Sequence, residues 1–85
     1  MMKARQLIGG AALPPDDLHV IFGAFDDAWA EVMPNVSGRP EAVETARVSL
    51  ATIVLSVAKA GPIDRDRIKT AAIKAFRAKH RMASP

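Results

Sequence analysis

Arg67, Lys74, Arg77 and Arg81 recur seven, three and four residues apart, the spacing that sets four cations on one face of a helix. Such a stripe can hold the phosphates of a nucleic acid, with an affinity that falls steeply as salt rises. Lys69, Lys79, Lys3 and Arg5 are further candidates for that surface. The segment carries no Asn or Gln, which commonly read adenine, so contact with the backbone is favoured over recognition of a base sequence. The join from Val57 through Gly61 to Ile68 has the outline of a helix-turn-helix, but Pro62 and Ile63 lengthen the turn and make the match poor. A plainer account comes first. Residues 6–38 hold five acids and no Lys or Arg, whereas residues 64–85 hold seven Lys or Arg against two Asp. An acidic helix and a basic helix of this kind attract one another within one domain or across a dimer, or simply face water.

Other residue constellations point less clearly to chemistry. Arg47 falls at the edge of an apolar helical face, between Val43, Ala51 and Val54, where an unpaired guanidinium is costly. It is therefore expected in a buried ion pair with Glu44, Asp26, Asp27 or Glu31, ahead of any role as an anion ligand. His19 lies seven residues from Asp26 on one helical face, with Asp16 one turn before it. A metal site in a helical bundle draws its ligands from several facing helices, and only Glu41 and Glu44 are obvious additions, so a polar surface edge is the expectation. The serines at 37, 49, 56 and 84 have no context of an activated nucleophile, and Gly9-Gly10 follows no strand that would make it a phosphate loop. No catalytic constellation is recognisable, and no cofactor is expected. Trp29, Phe22 and Phe25 have the spacing of ordinary core packing.

The most informative segment is Val48 to Ala58, which contains no charged residue. Its polar positions continue a stripe of Thr45, Ser49, Thr52 and Ser56, spaced four, three and four. Small side chains in one line let a second helix approach closely, so this stripe is the candidate packing or dimer face. Cover by the N-terminal arm and exposure to water are the alternatives.

Three helices are needed to position these residues. The first starts at Pro14-Pro15, with Asp16 and Asp17 at its positive end and Leu13 and Leu18 as a hydrophobic staple. Leu18, Ile21, Phe22, Phe25, Ala28, Trp29, Val32 and Met33 form its apolar face, with Asp16, Gly23, Asp27 and Glu31 opposite, and Pro34 ends it near Met33. The second runs from Pro40 to Ala60 and stops at Gly61-Pro62. Val43, Ala46, Leu50, Ile53, Val54 and Val57 form its principal face, and Val48, Ala51, Leu55 and Ala58 flank it. The third has Asp64 as N-cap, Ile63 and Ile68 as staple, a weak apolar face of Ile68, Ala72, Ile73, Ala75 and Phe76, and reaches about His80.

Composition agrees with this reading. Sixteen alanines favour helix but bring little buried area each, and a chain of 85 residues buries only about 60% of its unfolded surface, so added burial by self-association would help. With no cysteine there is neither disulfide nor thiolate metal site, which fits a reducing compartment. The basic start followed by Leu7 to Leu13 mimics a secretory signal, but the run is short, broken by glycines and followed by Pro14-Pro15-Asp16-Asp17. The uncharged run in the second helix is far below the roughly 18 residues of a membrane span.

Met2 to Gly10, Ala24-Phe25-Asp26-Asp27-Ala28-Trp29, and Ala46-Arg47 with Leu50-Ala51 resemble a family of short, uncharacterised all-helical proteins of alphaproteobacteria. The resemblance implies a bacterial, cytoplasmic protein and brings no activity or binding residue with it. The expectation is thus an all-α protein: an N-terminal arm over 1–13, a three-helix domain over 14–81 and a frayed tail over 82–85. It is expected to act as a non-enzymatic interaction or structural protein, as a homodimer or with a protein partner. Nucleic-acid binding through the basic third helix is the alternative, and no membrane association is expected.

Overall fold

Two prolines and an aspartate set where the helices begin. The structure, a computed structural model, describes residues 6, 8–10, 12–35 and 38–79. Helix α1 spans Pro15–Val32. Pro15 denies Pro14 the helical conformation, so Pro14 stays extended at φ −60° and ψ 150°, and its carbonyl accepts from the Leu18 N–H at 2.9 Å. Pro34 has no N–H to continue the ladder, and the chain tightens into a 3-10 turn over Met33–Asn35. Met33 thereby leaves the α-helical period and is 48% exposed, although the sequence pattern assigns it to the apolar face.

Helix α2 spans Pro40–Lys59, with Arg39 extended as its cap and the Arg39 carbonyl accepting from Val43 at 3.0 Å. Helix α3 spans Arg65–Lys79. Asp64 is its N-cap: the carboxylate accepts from the Arg67 N–H at 3.1 Å and the carbonyl from the Ile68 N–H at 2.9 Å. The molecule is all-α, and no strand forms among the described residues. Each helix packs on the other two, most extensively α1 on α3, and the 12.3 Å radius of gyration is close to the roughly 12 Å expected of one domain this long.

The end of α2 uses a side chain where a left-handed glycine would be the common device. Gly61 has no positive φ. Instead Arg67 reaches back from α3, its Nη2 donating to the Val57 carbonyl at 2.9 Å and its Nε to the Pro62 carbonyl at 2.8 Å. A Cβ on Gly61 would stand 3.2 Å from the Arg67 Cζ, so the glycine gives the guanidinium room.

The core joins Ile21, Ala24, Phe25, Ala28 and Val32 of α1, Ala46, Leu50, Ala51, Val54 and Ala58 of α2, and Ile68, Ala72 and Phe76 of α3. In α2 the buried arc is turned toward the expected flank. Ala51 and Ala58 are buried, while Val43, Ile53 and Val57 are half-buried. Alanine at those two positions lets a neighbouring backbone come close, and this outweighs the larger side chains on the other side. In α3, Ala75 is exposed although the pattern places it on the apolar face. The segment before Leu13, expected as an arm or added turn, makes a helical bond from the Gly10 N–H to the Gln6 carbonyl at 2.8 Å. It contributes Ile8, fully buried, to the core.

Candidate functional site

Helix α3 sorts its cations by position. Those of its first turns are engaged within the molecule. Arg65 closes on Asp27 of α1, Nε to Oδ2 at 2.8 Å and Nη2 to Oδ1 at 3.1 Å. Arg67 caps α2, and Lys69 Nζ lies 3.9 Å from Glu31 Oε2. Lys74, Arg77 and Lys79 are exposed. Of the stripe predicted from sequence, Lys74 and Arg77 thus face outward together, Arg67 is turned to the helix junction, and Arg81 lies outside the described residues, as do His80, Lys3 and Arg5. The attraction between an acidic and a basic helix operates inside the molecule, between α1 and α3.

The hydrogen bond from Arg65 is the main reason the Asp27 carboxyl sits below the ordinary carboxylate range, with the charges of Arg65 and Lys69 adding to it and desolvation opposing. The same bond raises Arg65. Gly23 makes the approach possible. It lies one turn before Asp27, and a Cβ there would fall 2.8 Å from the Arg65 Cζ. Sequence reasoning missed this trio: Gly23 and Asp27 mark a notch and an acid one turn apart, but nothing local links them to a residue 38 positions further on.

On α2 the buried positions Ala46, Leu50, Ala51, Val54 and Ala58 leave Thr45, Ser49, Thr52 and Ser56 roughly opposite, centred about 180° away at 100° per residue. Thr45, Thr52 and Ser56 are exposed and Ser49 is half-buried. The Thr52 hydroxyl donates back to the Val48 carbonyl at 3.1 Å, the usual resort of a threonine on an open helix face. Val48 and Leu55 border the stripe on one side and Ile53 on the other, all half-buried. Gly9 of the N-terminal turn lies instead by Phe22 of α1, with 3.8 Å between its ideal Cβ and the Phe22 Cζ.

Arg47 finds an aromatic face. Its Cζ sits 5.1 Å from the Trp29 ring centroid, and the side chain is half-buried. The charge at the edge of the apolar face is met by the ring quadrupole of a partly buried tryptophan. Asp27, one of the acids proposed for it, is held by Arg65. His19 and Asp26 are both exposed, and among the described residues no three His, Asp or Glu side chains gather as metal ligands. Nor is any helix among them long and apolar enough to cross a membrane. Comparisons with protein-family models, with curated proteins and with solved structures gave no match to this chain.

Proposed function

We propose that this chain is a small helical interaction protein whose three helices form a bundle and which docks a second copy of itself on the outward face of α2. The observation that carries the reading is the arc of Thr45, Ser49, Thr52 and Ser56, framed by half-buried Val48, Ile53 and Leu55, on a segment with no charge from Val48 to Ala58. A solvated helix commonly carries Lys or Glu there, and small hydroxyls allow a second helix axis to come within roughly 8–10 Å. The contact is modest. Met33 is the one large hydrophobic side chain exposed among the described residues, and the core closes without a partner, so each copy folds alone and association is reversible.

Sedimentation equilibrium from micromolar to millimolar concentration tests this. The average mass should climb from 9.1 kDa toward twice that value, and Thr52→Arg or Ser56→Glu should hold the chain monomeric with its helical circular dichroism intact. A wild-type chain that stays monomeric throughout, or a mass that ignores both substitutions, overturns the proposal.

A further inference from the structure

Residues 67–85 contain six Lys or Arg and no Asp or Glu, so nothing within that segment neutralises them. Neighbouring elements account for only the first two of these charges. Arg67 is bound to the Val57 and Pro62 carbonyls and Lys69 lies beside Glu31. Lys74, Arg77 and Lys79 are exposed and make no hydrogen bond or ion pair with another described residue. Lys74 and Arg77 point about 140–160° away from the centre of the buried arc of Ile68, Ala72 and Phe76, whereas Lys79, exposed on the last turn, lies within about 20° of that centre and so on the other side of the helix.

Cations in a last helical turn also complement the helix dipole, which suits Arg77 and Lys79. That effect reaches only the last turn and leaves the outward side of Arg77 unused. Lys74 lies further back and gains little from it. The exposed neighbours are Thr70, Ala75 and Ala78, and α3 exposes no large apolar side chain. A helix that settles into a bilayer surface needs such side chains to insert, so an anionic membrane is the poorer fit. A regular array of phosphates needs only charge and reach, which this surface has. With no Asn or Gln on the helix to read adenine, contact with the backbone is favoured over reading of base edges.

We propose that the C-terminal half of α3 docks the phosphate backbone of a nucleic acid through Lys74 and Arg77, without sequence preference. Two neutralised phosphates on a duplex give a slope of log affinity against log salt of about −1.8, or a loss of about 60-fold between 20 and 200 mM salt. The face lies on α3 and stands apart from self-association on α2, so either proposal can fail alone.

The test is fluorescence anisotropy of a short labelled DNA duplex of arbitrary sequence, titrated with the full chain across that salt range and repeated with a second, unrelated sequence. The expected result is that slope with equal affinity for both duplexes, loss of binding in Lys74→Ala/Arg77→Ala, and no change in slope for Arg65→Ala. Each of the two single substitutions should lower the slope by about one, which keeps the test decisive should the double variant lose helix. Absence of binding at the lowest salt overturns the proposal, as does binding that survives the double substitution in a chain of unchanged helicity. Capture by anionic phospholipid vesicles without binding to the duplex overturns it in favour of a membrane.

Discussion

Arg65 on α3 and Asp27 on α1 close on each other through two parallel bonds, 2.8 and 3.1 Å long, over a gap that exists because residue 23 is glycine. The planar fork of the guanidinium matches the carboxylate, and the Gly23 backbone forms the floor on which it lies. This ties the start of α3 to the middle of α1, and with Lys69 near Glu31 it sets which edge of the acidic helix the basic helix meets.

Gly23→Ala should reveal that packing by its dependence on Arg65. Alanine in a helix interior gains about 0.8–1 kcal/mol over glycine. Its Cβ would meet the Arg65 Cζ at 2.8 Å, and the flexible guanidinium must swing off Asp27 to make room. Urea denaturation should therefore show nearly the full gain for Gly23→Ala in an Arg65→Ala background and clearly less in the wild-type chain. Equal gains in both backgrounds would show that Arg65 does not lie over Gly23.

Asp27 should titrate below an ordinary aspartate, because Arg65 favours its charged form. A carboxylate depressed in the folded state contributes stability above its unfolded pKa, and that contribution disappears as pH falls through the lower folded value. The acid limb of the stability curve should thus soften in Arg65→Gln, and the Asp27 carboxyl resonance should move back up toward the ordinary range. Both partners are well exposed, at 56% and 37%, so the effect is small and shrinks in high salt. A carboxyl titration identical in the two proteins would contradict the bond.

Helix starts were legible in the sequence because they depend on local chemistry. Pro14-Pro15, Pro40 and Asp64 act through their own backbone angles and carboxylate, and each lies where the pattern predicts. The face that each helix buries was legible only in outline. Ala51 and Ala58 enter the core of α2 ahead of Val43 and Ile53 because a neighbouring helix chooses the side it can approach, which hydropathy alone does not encode. The candidate surfaces divide likewise. Lys74 and Arg77 were found by periodicity, whereas the engagement of Arg67 and Arg65 depends on residues brought near by folding.

Arg67 should behave as a capping residue. Its fork adds a charged donor to the Val57 and Pro62 carbonyls, which also accept from the Ala60 and Asp64 N–H groups, and charged hydrogen bonds at such a half-buried site are worth about 1–2 kcal/mol in all. Arg67→Ala should lower thermal stability by about that amount. Arg67→Lys should recover little of it, since an ammonium cannot span both acceptors in one plane. Full rescue by lysine would assign the residue a purely electrostatic role.

Ile8 is the residue that turns the N-terminal segment into a working element of the fold. It is wholly buried, and the turn that carries it is closed by the Gly10 to Gln6 bond and lies with Gly9 by Phe22. Removing a buried isoleucine to the β-carbon costs about 2–5 kcal/mol, a large share of the total in a domain with so small a core. Ile8→Ala should therefore lower the urea midpoint strongly, and deletion of residues 1–10 should do so at least as much. Ile8→Val should cost only about 0.5–1.5 kcal/mol, because most of the contact area is kept. If Ile8→Ala left the midpoint unchanged, the helical domain would be complete from Leu13 onward and the segment before it would add nothing to the core.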